Sequence, residues 1–251
     1  MKRMWMTAAA AVTVGSMVPV MVFGTVPHEA GAQPLLIDGE RLKFEILYGS
    51  IPAGHAWLEV TGETGDDGEV FRITSTALSN DVISIFFRVE DRIESVVDAA
   101  TFEPRYFEKR LKEGPFRKHE QVYYGDGVVR SGDGAVEVEP GTMDILSALY
   151  YVRGQDLRVG EDVSVSTFDG GTCYNARVKV LRKETVRTGN RSYDCVVIEP
   201  ELVDGPFART GRILIWLTDD ALRLPVLMKS KVKIGSFVAR LVGSTHTGGA
   251  S

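Results

Sequence analysis

GERLKFEILYGSIPAGHAWLEV, residues 39–60, alternates apolar and polar side chains with a period of two. Leu42, Phe44, Ile46 and Tyr48 take one parity, with Lys43 and Glu45 between them. Gly54, Ala56, Leu58 and Val60 repeat the pattern against His55, Trp57 and Glu59. Successive side chains of an extended chain point to opposite faces, so this pattern predicts strands with one face inward and one face wet. Phe71, Ile73 and Ala77, alternating with Arg72, Thr74 and Thr76, carry the same signal onward.

The punctuation between runs supports antiparallel pairing. Asp67-Gly68, Asp126-Gly127, Asp133-Gly134 and Asp169-Gly170 fall between alternating segments. Aspartate tolerates left-handed dihedrals and glycine adopts them freely, so Asp-Gly predicts a tight hairpin. The runs amount to about a dozen strands, more than a flat open sheet carries without curling. One segment breaks the period: GTMDILSALYYVRGQDLRVG, residues 141–160, places Ile145, Leu146, Leu149 and Val152 at helical spacing. Thr142 can cap the first turn, Asp144 complements its positive end and Gly154 can stop it, which predicts a helix over Met143–Arg153. The expected fold is mainly β: a strongly curved antiparallel sheet, half-barrel or barrel-like, packed on one α-helix. No repeat, linker or composition shift divides residues 33–251, which read as a single domain.

Residues 1–32 read as a signal peptide. Lys2 and Arg3 precede an apolar stretch from Trp5 to Phe23, and Ala30-Gly31-Ala32 has the small-x-small pattern of a cleavage site. Gly15 and Pro19 weigh against the alternative, a retained membrane anchor. The expected location is therefore the periplasm, with no transmembrane segment after cleavage. Loss of Lys2, Arg3 and Glu29 takes the net charge from −5 to −6. With no basic block, nucleic acid is excluded as an expected partner. An oxidising compartment permits a Cys173–Cys195 disulfide, and two buried thiols are the alternative.

WLTDDALRLPV, residues 216–226, sets Asp219 and Asp220 side by side between two apolar runs. A catalytic carboxylate pair needs distinct environments around a shared substrate, whereas short acids in a connection bond the turn's own amides. The pair is read as a turn.

Four stretches together carry a resemblance. GERLKFEILYGSIPAGHAWLEV, SNDVISIFFRVEDRIES (79–95), PGTMDILSALYYVR (140–153) and IWLTDDALRLPVLMKSKVKIGSFVARL (215–241) resemble the exported bacterial domain-of-unknown-function family 3108. The resemblance spans the mature chain. It implies an envelope protein with a β-rich shell around a helix, similar to the half-barrels of outer-membrane lipoprotein carriers. It supplies no catalytic residues.

Other constellations are weak. Arg88, Glu90, Arg92 and Glu94 form an alternating-sign stripe, read as cross-strand pairing rather than a grip on a charged ligand. His55 and His119 without a cysteine cluster fall short of a zinc site, and no nucleophile, phosphate-loop or dinucleotide motif accompanies them. No metal, cofactor or catalytic residue is expected. Trp57 is a candidate surface contact, and one of Tyr150 and Tyr151 can line an entrance beside the helix.

A curled sheet of this many strands tends to enclose a cavity. The expected function is therefore non-catalytic: holding a lipid or other apolar or amphipathic envelope molecule. Phe44, Ile46, Leu58, Ile73, Leu149 and Met228 are the candidate lining. The rivals are a docking scaffold for an envelope protein, and an enzyme acting on glycan or lipid through His55 and Glu59.

Overall fold

The computed structural model describes residues 34–65, 68–202, 211–232 and 235–245. The signal segment, its cleavage site and Asp67 lie outside the described residues. Alternating residues 39–60 become β1 (Arg41–Tyr48) and β2 (Ile51–Gly65), followed by β3 (Gly68–Ser79). A short helix, α1 (Asp81–Phe86), leads to β4 (Glu90–Asp98), β5 (Pro104–Glu113) and β6 (Phe116–Gly125). Two short strands, β7 (Val128–Ser131) and β8 (Gly134–Glu137), precede α2 (Ile145–Arg153). The second half is β9 (Asp162–Asp169), β10 (Thr172–Thr188), β11 (Arg191–Leu202), β12 (Gly211–Thr218), β13 (Pro225–Val232) and β14 (Gly235–Thr245).

All fourteen strands join one antiparallel sheet, ordered β8-β7-β6-β5-β4-β3-β2-β1-β14-β13-β12-β11-β10-β9. The chain is a continuous meander in which β1 pairs with β14. Among the described residues the sheet has its two edges at β8 and β9, which α2 connects in sequence. The β6–β7 connection is the tight turn that Asp-Gly predicts, with Asp126 at φ 54° and Gly127 at φ 71°.

Side chains, rather than a hydrogen-bond ladder, draw the two ends of the sheet together. Tyr124 of β6 meets Phe168 of β9 edge-on, with ring centroids 6.5 Å apart. Lys109 of β5 forms an ion pair with Asp169 at the end of β9. The segment before α2 fills the seam: Met143 N donates to Ser166 O (2.8 Å) and Phe168 N to Met143 O (2.8 Å). The sheet therefore curls into an unclosed barrel around α2.

Two details of the sequence reading change. α1 is a second helix, which the period gave no sign of. In α2 the cap is Asp144, not Thr142: Asp144 accepts from Leu146 N and Ser147 N, and Ser147 Oγ accepts from Asp144 N. Met143 is spent on the seam, so the helix begins at Ile145. Its buried face is Leu146, Ser147, Tyr150, Val152 and Arg153, while Leu149 is only half-buried. Tyr150 is thus wholly inside and lines no entrance.

Candidate functional site

Strand pairing places the candidate lining on one concave face, because directly opposed residues share a face. Ile46 lies opposite Gly54 and Ala239, Ala239 opposite Met228, Met228 opposite Ile215, and Ile215 opposite Ile198. One apolar row therefore crosses six strands. A turn of side chains below it lie Phe44, Leu58 and Ile73, fully buried in the core that α2 completes.

The six candidates accordingly split. Phe44, Leu58 and Ile73 are sealed core residues. Ile46, Met228 and Leu149 pack against that core yet keep part of their surface in solvent, as do Ala56 and Ala239. Ile46, Met228 and Ala239 lie in the row that crosses the six strands, and Leu149 is the half-buried position of α2.

The end of the barrel beneath α2 is closed by a buried polar knot. Arg153 and Glu40 are both fully buried and form a bidentate pair, with both contacts at 2.7 Å. Tyr150 Oη donates to Glu40 Oε1 at 2.8 Å, and its ring lies 4.6 Å from the Arg153 guanidinium. Arg153 also donates to the carbonyls of Leu222 and Arg223, at 3.0 and 3.1 Å. Those carbonyls belong to the turn that follows Asp219 and Asp220. Asp220 Oδ1 accepts from Thr218 Oγ1 (2.6 Å), Leu222 N (3.0 Å) and Arg223 N (3.1 Å). Asp219 is held by Lys183 (2.6 Å) and Arg223 (3.1 Å), which keep its carboxyl below the usual range. The aspartates shape the turn that presents two carbonyls to Arg153. The neighbouring depression of ≈ 270 Å³, lined by Ser192, Tyr193, Asp194, Thr218, Asp219 and Asp220, is bounded by carboxylates already engaged in this way.

A second polar cluster runs along the seam. In FEKRLKEG, residues 107–114, Lys109 and Glu113 have the parity of the core residues Phe107 and Leu111. Lys109 is fully buried, opposite Ile93 and Glu120, with its ammonium 5.5 Å from the Phe107 ring centroid. Burial raises the phenol pKa of Tyr124, and Asp144 and Asp169 push it further. Asp144 is wholly buried and accepts from Ser95 Oγ at 2.6 Å and Ser147 Oγ at 2.9 Å. Burial raises the Asp144 pKa against the pull of those bonds. Glu113 is pushed up to about 8 by burial and then by Asp91, itself raised by burial.

These groups serve one another. Both serines donate to the Asp144 carboxylate and Lys109 is taken by Asp169, while the buried Tyr124 hydroxyl meets no hydrogen-bond partner among the described residues. The histidines are elsewhere. His119 Nε2 sits 2.8 Å from Glu108 Oε1 on the outer face, and His55 is exposed. Glu59 pairs with Arg41 at 2.9 Å, and four residues of strand set it about 13 Å from His55. His55 and Glu59 are not brought together as an acid–base pair. Among the described residues no group of His, Cys, Asp and Glu could hold a metal.

Trp57 is half-buried on the outer face, its ring 6.1 Å from that of His55 and 5.8 Å from the Lys43 ammonium. The charged stripe pairs within the protein: Arg88 with Glu90, Arg92 with Glu94, and Arg72 of β3 with Glu94. The disulfide does not form. Cys173 and Cys195 are free thiols, the first exposed and the second buried. Cys195 lies opposite Glu184, eleven residues along β10 from Cys173. That is about 35 Å of strand, far beyond the roughly 4.4–6.8 Å Cα separation a disulfide spans.

A curled, unclosed sheet with a closed end and a partly covered concave face is the geometry against which known proteins can be compared. The family model described as "Protein of unknown function (DUF3108)" matches residues 43–242. The chain belongs to the DUF3108 family. The matched span runs from Lys43 of β1 to Val242 of β14, so it takes in the whole meander and both helices. No curated protein matches it. A solved structure from Brucella abortus, a beta-barrel-like protein of the domain of unknown function DUF1849, is similar in fold. Its TM-score is 0.59 at 12% identity, over 86% of this chain and 100% of that one. The likeness between this DUF3108 member and that protein is one of architecture.

Proposed function

We infer that this DUF3108 protein is an exported, periplasmic, non-catalytic binding protein. It holds an apolar or amphipathic envelope molecule against the half-buried row of the concave face. The observation that carries the reading is the row Ile46, Ala239 and Met228: inward-facing, apolar, continuous with the core, and partly solvent-accessible. Inward apolar surface that the described residues leave partly exposed is stabilised by an apolar guest, at roughly 25 cal/mol per Å² buried.

The leader-like sequence of residues 1–32 supports export, and no helix among the described residues is long and apolar enough to cross a membrane. The scaffold alternative draws less support, because Met143 already pairs with the β9 edge.

The test is uptake of a fluorescent lysophospholipid supplied as monomers. Ala239 lies mid-row, so Ala239→Phe fills the space beside Ile46 and Met228. The reading expects saturable uptake by wild type and its loss in a folded Ala239→Phe protein. Equal uptake by both would sink it.

A further inference from the structure

The end of the barrel opposite Arg153 carries a feature that uptake alone does not use. α1 is six residues long, too short to persist by itself, yet the strands hold it firmly in place. Asn80 caps it, accepting from Ile83 N at 2.9 Å. The same residue is tied to β2, donating through its amide N to Ala53 O (2.9 Å) and through Nδ2 to Pro52 O (2.8 Å). Ser79 Oγ is 2.7 Å from Ser84 Oγ and accepts from Val89 N at 2.9 Å. Behind the helix, Phe87 presses on Gly114, whose φ of +51° and lack of a side chain leave room for the ring.

This anchored pedestal presents apolar side chains to solvent. Val82, Ile85 and Phe86 are 66%, 76% and 80% exposed, and α1 buries no residue at all. Ile51, Leu78 and Phe116 are exposed at the adjoining strand ends. Apolar residues at spacings of three and four share one helix face, so the three project together.

Cations flank that tip. Arg88 and Lys112 share the single carboxylate of Glu90, at 3.3 and 3.5 Å. Among the described residues the Arg117 guanidinium meets only carbonyls, those of Gly114 (2.6 Å) and Phe116 (2.7 Å). The exposed acid of α1 is Asp81. Further in, half-buried Asp91 adjoins buried Glu113, whose carboxyl burial pushes up to about 8. The charges facing solvent on this rim, around the apolar tip, are therefore Arg88, Lys112 and Arg117 against Asp81 and half-buried Glu90, at the same end as the half-buried concave row.

We propose that this rim docks on the surface of an anionic phospholipid bilayer, with Val82, Ile85 and Phe86 inserted at the headgroup boundary and Arg88, Lys112 and Arg117 against the phosphates. A projecting tip of six residues falls short of the roughly 800 Å² per partner that a stable protein interface covers. It matches the shallow insertion plus charge attraction of interfacial anchors, which gives weak, reversible binding. The docking stands on the rim alone, whether or not the concave face carries a guest.

Vesicle flotation of the exported protein tests it, with vesicles of phosphatidylethanolamine plus phosphatidylglycerol against vesicles of phosphatidylcholine. Wild type should bind the anionic vesicles and leave the zwitterionic ones nearly unbound. Arg88→Gln with Arg117→Gln should weaken binding about 25-fold, at about fivefold per basic residue. The triple variant Val82→Ser, Ile85→Ser, Phe86→Ser should lose binding and keep the wild-type melting temperature, since these side chains leave no core contact behind. That variant should still take up monomeric lysophospholipid, while Ala239→Phe should still float, so the two readings fail separately. The proposal is overturned by equal binding to both vesicle types, by undiminished binding of the triple variant, or by wild-type dimers that this variant dissolves.

Discussion

At one end of the barrel Arg153 is wholly buried and Glu40, Tyr150 and two turn carbonyls surround it. At the other, Phe86 stands in solvent on a six-residue helix held to the sheet by its Asn80 cap and by Ser84 against Ser79. Both ends are tied by hydrogen bonds, and they differ in what those bonds serve. Around Arg153 every charge is answered from within, which closes the shell and fixes α2 across it. Around α1 the hydrogen bonds serve to hold apolar side chains outward, an arrangement with no internal benefit to folding. Side chains anchored in that state point to a contact made outside the chain.

The largest effect should come from breaking the closed end. Arg153→Met leaves the Glu40 carboxylate buried without its partner, and should cost about 3–5 kcal/mol. Denaturant unfolding measures it. Pairing Arg153→Met with Glu40→Met should recover much of that loss, because the desolvated charge is gone. A double variant as unstable as the single would mean that the knot acts through shape and not through charge.

The concave face sharpens the contrast on a smaller scale. Phe44→Ala, in the sealed core, should cost about 3–5 kcal/mol, and Met228→Ala, at a half-buried position, no more than about 2. Equal losses, read from unfolding midpoints, would mean that the row is sealed core.

Smaller again is the effect of pH at the open end. The folded chain holds Glu113 at about 8, against an ordinary 4.5, so it binds more protons than the unfolded chain between those values. The contribution is therefore full below the lower value and is lost as pH rises to the upper one. Glu113→Gln should flatten that decline and leave the variant the more stable protein at about pH 9. An unchanged slope in urea titrations would place the proton elsewhere.

Period and turn chemistry made most of the sheet legible. The alternation in residues 39–60 is the β1–β2 hairpin, and Asp126-Gly127 is a left-handed two-residue turn. α1 was hidden because six residues hold too little of a helical period, and its Val and Ile run also suits a strand. α2 was located with half of its face. Of Ile145, Leu146, Leu149 and Val152, which apolar spacing names, Leu146 and Val152 are buried. The buried face also takes in Ser147, bonded to Asp144, and Arg153, whose partner Glu40 is far away in sequence. The parity of FEKRLKEG already put Lys109 and Glu113 inward. What alternation lacks is the partner: Asp169 lies sixty residues from Lys109 and reaches it only when the sheet curls. The candidate lining was legible as a face and not as two halves, since alternation gives the parity that Phe44 and Met228 share with the core but not how deeply the folded sheet buries each.

Native mass spectrometry of the protein taken from its own envelope fraction tests the central claim most directly. The account predicts a non-covalent guest of lipid mass on wild type that is missing from a folded Ala239→Phe protein. A bare chain in both, at the mass of the polypeptide alone, would contradict it.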